Sequence, residues 1–193
     1  MTWDVTAGAL VMSNTAEEGR VTVQTTNAIM HESYNANTIT NDIALLILPV
    51  PVSGANIKPL RLPTYAMDAE DKVGQVLRVS GWGKSSDAST TINDHLKYVD
   101  VTVIGNLECR RHYVIGISST NICTSSNVGT EATCNGDSGG PLVQYDINGD
   151  AIIFGIVSFG SSAGCETDNP SAYTRVTKYL DWISINGGIT IDP

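Results

Sequence analysis

Gly136-Asp137-Ser138-Gly139-Gly140-Pro141, preceded by Cys134 and Asn135, is the stretch that decides how this sequence is interpreted. A serine that attacks a carbonyl needs an exposed Oγ, and neighbouring backbone N–H groups must reach the developing oxyanion. Gly136 has no Cβ, so a substrate can approach its N–H closely. The alternative is a glycine-rich surface turn, because Gly, Asp and Ser are common turn residues. The complete string, with a hydrophobic run on each side, favours a nucleophile at Ser138.

Further segments accompany that stretch: Asn41-Asp42-Ile43-Ala44-Leu45, Ser80-Gly81-Trp82-Gly83, Ser158-Phe159-Gly160 and Tyr173-Thr174-Arg175-Val176. Through these motifs the chain resembles the chymotrypsin-like (trypsin-fold) serine endopeptidases over nearly its whole length. It is most similar to the digestive chymotrypsins and collagenolytic serine proteases of arthropods. The resemblance implies an all-β fold of two six-stranded antiparallel Greek-key β-barrels, the first incomplete, with a C-terminal helix. Residues 1–60 would be the remnant of the first barrel, and residues 61–193 the second barrel plus the helix.

The resemblance also implies a role for each residue of the motifs. Ser138 is expected to be the nucleophile and Asp42 the acid that orients a catalytic histidine. The N–H groups of Gly136 and Ser138 are expected to form the oxyanion hole. Asp137 is expected to pair with the new amino terminus that zymogen cleavage releases in this family.

The catalytic histidine of the family, in a T-A-A-H-C type motif, precedes the aspartate along the chain. Nothing before Asp42 matches that motif, and the matching Ile-Val-Gly-Gly type start is also absent. The other histidines are interpreted as structural or exposed residues: His31, His95 and His112. We therefore expect a family member without its amino-terminal portion, inactive alone and poorly folded in its first half.

The walls of a substrate pocket are expected from the same resemblance, at positions Ala132, Ser158, Phe159, Gly160 and Ser171. Ala132 stands where a trypsin-like pocket has an aspartate, so cleavage after Lys or Arg is disfavoured. Gly160 leaves one wall open, whereas Ser171 narrows the slot. The expected preference is for apolar side chains of small to medium size. Residues 158–160 are expected to pair with the substrate backbone as an added strand.

Composition limits the class of protein and its partners. The 193 residues are 41% hydrophobic and 16% charged, which is typical of a globular chain. The net charge of -9 argues against a nucleic-acid surface, and no apolar run is long enough to cross a bilayer. The expected partners are protein or peptide substrates and protease inhibitors, without nucleic acid or membrane, for a monomer that needs no cofactor.

The four cysteines allow three pairings from sequence alone. The family resemblance selects Cys109–Cys123 and Cys134–Cys165. Disulfides are typical of secreted proteins, although no signal peptide is visible. A zinc site is disfavoured because no C-x-x-C spacing occurs. The acidic turn Glu17-Glu18-Gly19 offers too few oxygens for calcium, so no metal is expected.

Periodicity predicts several elements directly. Alternation predicts strands at Val21–Val23 and over Lys97–Ile104, and an apolar run predicts a strand over 43–48. Further strands are predicted over 76–83 and 153–157. Tyr179, Trp182 and Ile183 form an apolar stripe, which predicts a packing helix over 176–186.

A second hypothesis is a non-catalytic serine-protease homologue that acts as a binding or regulatory module. Such homologues usually replace the serine or histidine in place. Intact Ser138, Asp42 and Asp137, together with the loss of a contiguous block, favour the endopeptidase.

Overall fold

A closed six-stranded antiparallel barrel forms the second half of the chain in a computed structural model that describes residues 1–114, 116–126 and 132–193. Its strands are β5 (Val76–Gly81), β6 (Lys97–Ile104), β7 (Asn121–Thr124), β8 (Pro141–Tyr145), β9 (Ala151–Phe159) and β10 (Ser171–Arg175). They follow the order β10-β7-β6-β5-β8-β9, and β9 pairs with β10 to close the barrel. This barrel agrees with the fold class expected from the sequence.

Alternating side chains fill the barrel because successive residues of a strand point to opposite faces. In β5, Leu77 and Val79 are buried, and in β6, Val101 and Val103 are buried. They pack with Tyr173, which is fully buried. The strand predicted over Lys97–Ile104 has the same bounds in the structure.

The first half contains two separate ribbons instead of a barrel among its described residues. Strand β1 (Trp3–Ala7) pairs with β2 (Val21–Thr25), and β3 (Ala28–Met30) pairs with β4 (Ala44–Leu46). The strand predicted over 43–48 is therefore too long, because β4 covers only Ala44–Leu46. Within the described parts of the chain β4 pairs with β3 alone, and its side chains are exposed or partly exposed.

The carboxyl end of the chain packs against both halves. A 3₁₀ turn, Val176–Tyr179, precedes helix α2, Leu180–Gly187, so the single helix predicted over 176–186 is wrong in its first turn. Gly188 ends α2 in a left-handed conformation, φ 64°, as glycine does at helix ends. Buried residues of this segment contact Ile43, which directly follows Asp42. A shorter helix, α1 (Asn106–Arg110), precedes β7.

Both expected disulfides are present. Cys109 joins Cys123 with an S–S distance of 2.06 Å, and Cys134 joins Cys165 with an S–S distance of 2.03 Å. The first links α1 to β7, and the second ties the segment before Ser138 to the loop between β9 and β10.

Candidate active site

Ser138 lies exposed in a tight turn immediately before β8. Within the turn, Asp137 N–H donates to Cys134 O at 3.0 Å, and Gly140 N–H donates to Asp137 O at 2.8 Å. Gly136 has φ 102°, a value that side chains with a Cβ rarely adopt. The glycines therefore permit a backbone path that presents the serine to solvent.

Strand β9 holds this turn in place. Gly139 N–H donates to Val157 O at 2.9 Å, and Val157 N–H donates to Gly140 O at 2.9 Å. The residue that follows, Ser158, donates its hydroxyl to Asp42 Oδ2 at 2.6 Å. Asp42 and the Ser138 turn are thus attached to adjacent residues of β9.

Asp42 is half-buried. Its backbone carbonyl accepts a hydrogen bond from Thr174 Oγ1 at 2.7 Å. The preceding residue, Asn41, has φ 53° and accepts a hydrogen bond from Tyr179 OH at 3.0 Å. The orienting acid expected from the sequence is therefore bonded through backbone and side chain to the second barrel.

None of the three histidines hydrogen-bonds to Asp42 or Ser138 among the described residues. His31 stacks on Trp182, with ring centroids 5.1 Å apart, and its Nδ1 accepts the Ser33 N–H at 3.1 Å. His112 Nδ1 lies 3.1 Å from Asn169 Oδ1. His95 is exposed and forms an isolated bridge with Val11.

Asp137 points away from the exposed serine and into the Gly-Trp-Gly segment. Its Oδ1 accepts the Gly83 N–H at 2.8 Å, and its Oδ2 accepts the Cys134 N–H at 2.9 Å. A Cβ at Gly81 or Gly83 would collide with this carboxylate. A cavity of about 260 Å³ adjoins it, lined also by Lys84 and Tyr98. The two glycines thus make room for the Asp137 side chain.

A second cavity, of about 370 Å³, has Ser138 in its lining. Its lining includes all the residues that the sequence analysis assigned to the pocket: Ala132, Ser158, Phe159, Gly160 and Ser171. Thr133 Oγ1 donates to Ser171 Oγ at 3.0 Å, and these residues are only 9% and 4% exposed. Burial raises the pKa of the neighbouring Tyr173 to about 12. This part of the cavity is therefore polar but uncharged.

Thr133 and Asp87 are among the residues of this cavity that sequence reasoning missed. Thr133 directly follows Ala132, and its side-chain hydrogen bond to Ser171 in β10 spans 38 residues, so local sequence does not reveal it. Asp87 lies four residues after Gly83, in a polar loop that carries no motif of its own. No local signal could have placed it in the lining of this cavity.

The loop with the acidic turn is organised internally. Glu17 Oε2 accepts the N–H groups of Leu10 and Val11 at 2.9 and 3.2 Å. Arg20 Nη1 donates to the carbonyls of Val11, Met12 and Asn14 at 3.1, 3.1 and 2.9 Å. Glu17 and Arg20 therefore both bind the backbone of this loop.

Metal-binding groups converge at one place in the described residues, Asp87 with Cys134 and Cys165. The two sulfurs form a disulfide, so neither is available as a thiolate ligand. In the described part of the chain, no helix combines the length and the apolar character that crossing a membrane requires.

Comparison with known proteins identifies the class to which this barrel and serine turn belong. The profile of the family described as Trypsin matches residues 1–183, and the chain belongs to that family. Brachyurin of Leptuca pugilator is 45% identical over 175 residues, which cover 90% of this chain and 73% of brachyurin.

Two further relatives and one solved structure agree with this assignment. Collagenase of Hypoderma lineatum is 38% identical over 173 residues, covering 89% of this chain and 64% of the collagenase. A solved structure of HL collagenase matches with a TM-score of 0.86 at 35% identity, covering 99% of this chain and 78% of that one. Serine protease 1 of Drosophila melanogaster is 39% identical over 162 residues, and the match spans only 58% of its length.

Proposed function

We propose that this chain carries the nucleophile and the orienting acid of a serine endopeptidase. The observation that supports the proposal best is the convergence on β9, where Val157 bonds the Ser138 turn and Ser158 bonds Asp42. The whole protein would hydrolyse peptide bonds of protein or peptide substrates.

In the proposed reaction, Ser138 Oγ attacks the scissile carbonyl carbon while a histidine accepts its proton. The N–H groups of Gly136 and Ser138 stabilise the negative oxygen of the tetrahedral intermediate. The protonated histidine, held by Asp42, then gives the proton to the leaving amine, and the acyl group stays on Ser138. Water hydrolyses this ester with the same proton acceptor and regenerates the serine.

The 193 residues by themselves are proposed to be inactive. No histidine of the described chain bonds Asp42 or Ser138, and removal of the base alone costs about 10⁶-fold in turnover. Asp137 is proposed to receive an amino terminus in its adjoining cavity, a role supported by its position beside Gly81 and Gly83.

The preferred side chain before the scissile bond is proposed to be apolar and of small to medium size. Ala132 places no carboxylate in the pocket, and the Thr133–Ser171 pair supplies hydroxyls without charge. The two disulfides are consistent with a secreted protein. Monomeric state and binding of protease inhibitors remain predictions of the family resemblance, as do the domain bounds 1–60 and 61–193.

Labelling with a fluorophosphonate tests this function. We expect slow labelling of the chain at Ser138, acceleration by added imidazole as an external base, and none in Ser138→Ala. Asp42→Asn, which removes the charge of the proposed orienting acid, is compared with wild type. Asp168→Asn, which removes an exposed charge, is the control. Labelling elsewhere than Ser138, with no effect of imidazole, would contradict the endopeptidase and favour a non-catalytic binding module. Rapid peptide hydrolysis by the chain alone would contradict its proposed inactivity.

A further inference from the structure

A reciprocal set of hydrogen bonds joins two loops beside the cavity at Ser138. Asp87, in the loop between β5 and β6, accepts the Cys165 N–H on Oδ1 at 2.8 Å and the Glu166 N–H on Oδ2 at 3.1 Å. In return, Glu166 Oε2 accepts the Asp87 N–H at 2.8 Å. The β5–β6 loop is thus bonded to the β9–β10 loop, across 78 residues of sequence.

The β9–β10 loop forms one wall of that cavity. Gly160, Ser161, Ser162, Gly164 and Cys165 line it together with Asp87 and Ser138. Cys165 is also tied by its disulfide to Cys134. Its backbone N–H and its sulfur therefore hold the wall from two directions, one of them through Asp87.

Gly164 packs directly against the Asp87 carboxylate. It has φ 118°, and a Cβ at this position would collide with both carboxylate oxygens and the carbon between them. The N–H groups of Cys165 and Glu166 lower the pKa of Asp87, so the carboxylate is ionised at neutral pH. A charged acceptor makes stronger hydrogen bonds to N–H groups than a neutral one.

We propose that Asp87 is a specificity-determining positioning residue, which holds the 160–165 wall at the distance that admits small apolar side chains and excludes large ones. This inference rests on the proposed function, because it assumes that the cavity at Ser138 receives the substrate side chain. Asp87 does not recognise a basic side chain in this proposal, since both of its oxygens accept backbone N–H groups.

Ligand titrations followed by NMR test the proposal on the 193-residue chain. The probes are N-acetyl-norvaline amide for a small side chain, N-acetyl-phenylalanine amide for a large one and N-acetyl-lysine amide for a basic one. Wild type is expected to bind the norvaline probe most tightly, with shifts at Gly160 and Ser171. In Asp87→Ala we expect the norvaline-to-phenylalanine affinity ratio to fall about tenfold, as loss of charge-assisted hydrogen bonds implies.

The variants separate positioning from folding. Asp87→Asn retains one oxygen acceptor, so its norvaline-to-phenylalanine affinity ratio should lie between those of wild type and Asp87→Ala. If Asp87→Ala does not fold, the proposal is tested on Asp87→Asn. Asp168→Asn, in the β9–β10 loop but outside the cavity lining, should keep the wild-type ratio. Gly164→Ala should also lower the ratio, and its effect should not add fully to that of Asp87→Ala because both act at one contact.

Each result has a distinct meaning. An unchanged ratio in Asp87→Ala overturns the positioning role and leaves the proposed function intact. A lysine probe that binds tightest and is lost in Asp87→Asn overturns it in favour of direct recognition of a cation. Failure of wild type to bind any probe near Ser138 overturns the pocket of the proposed function itself.

Discussion

The hydroxyl of Ser158 donates a hydrogen bond to Asp42 Oδ2 at 2.6 Å, across 116 residues of sequence. Asp42 belongs to the half of the chain that forms separate ribbons, whereas Ser158 belongs to β9 of the closed barrel. The carboxylate is thus positioned by the barrel that also holds the Ser138 turn. The first half of the chain has few contacts of its own here, so the position of Asp42 depends on hydrogen bonds from the barrel.

Replacing Ser158 with Ala should therefore destabilise the fold through Asp42. The half-buried carboxylate would lose its hydroxyl donor, at a cost of about 1–3 kcal/mol in the free energy of unfolding. Urea unfolding of Ser158→Ala, Asp42→Ala and the double variant should give a coupling energy of about 1 kcal/mol or more. Ser119→Ala, which removes an exposed hydroxyl, is the control. Strict additivity would show that the two residues do not interact.

Arg20 should determine the stability of the loop between β1 and β2. One guanidinium nitrogen donates to three carbonyls there, so Arg20→Ala removes three hydrogen bonds, although Val11 O and Asn14 O each keep a backbone N–H donor. We expect a loss of about 2 kcal/mol in the free energy of unfolding and faster proteolysis within residues 8–20. Arg20→Lys should restore part of the loss because an ammonium keeps the charge.

The same arrangement predicts that the loop needs no metal, since Arg20 already supplies its cation. EDTA should leave the thermal unfolding midpoint of wild type unchanged. A midpoint that EDTA lowers and calcium restores would contradict this assignment.

Asp94 should make stability depend on pH through its bonds to the same loop. The hydroxyl and then the N–H of Ser13 lower the pKa of Asp94 below its ordinary value of 3.8. A depressed carboxyl pKa contributes stability above the ordinary value, and this contribution is lost as pH falls through 3.8 toward the folded-state pKa. Thermal midpoints measured from pH 7 downward should fall less steeply below about pH 4 in Asp94→Asn than in wild type. Asp168→Asn is the surface control, and identical slopes in Asp94→Asn and wild type would exclude the linkage.

How much the sequence alone predicts depends on whether the signal is local. The alternation over Lys97–Ile104 predicts β6 to the residue, because both faces of that strand have a fixed environment inside a closed barrel. The glycines around Ser138 predict its exposed turn, because the required φ angles are a property of those residues. The cavity residues at 132, 158–160 and 171 follow from family resemblance, and the structure gathers them in one lining.

Long-range contacts explain what sequence reasoning missed. The run Ile43–Leu48 is as apolar as a core strand, yet β4 has one partner strand and stays short. The bonds of Asp87 to Cys165 and Glu166, and of Arg20 to three carbonyls, join polar side chains to backbone groups. Such bonds impose no periodicity on a sequence. They become visible only when the loops are placed side by side.

Gly83 should be intolerant of any side chain because of Asp137. A Cβ there would lie 2.5 Å from Asp137 Cγ and Oδ2, well inside van der Waals contact. Gly83→Ala should therefore displace the carboxylate and cost about 1–3 kcal/mol in the free energy of unfolding. Gly105→Ala is the matched control, because no atom of the described residues beyond its chain neighbours lies within 4 Å of its added Cβ and its φ is ordinary. Its effect should stay within about 0.5 kcal/mol.

The double variant Gly83→Ala with Asp137→Ala then identifies the cause. If the collision with Asp137 is responsible, the double variant should lose less than the sum of the two single losses, because the carboxylate that obstructs the new methyl group is gone. A cost of Gly83→Ala that persists unchanged beside Asp137→Ala would assign the intolerance to the backbone instead. Fluorophosphonate labelling of Ser138 in the same variants reports whether a displaced Asp137 also disturbs the Ser138 turn, as expected from the bonds of Asp137 to Cys134 and Gly140.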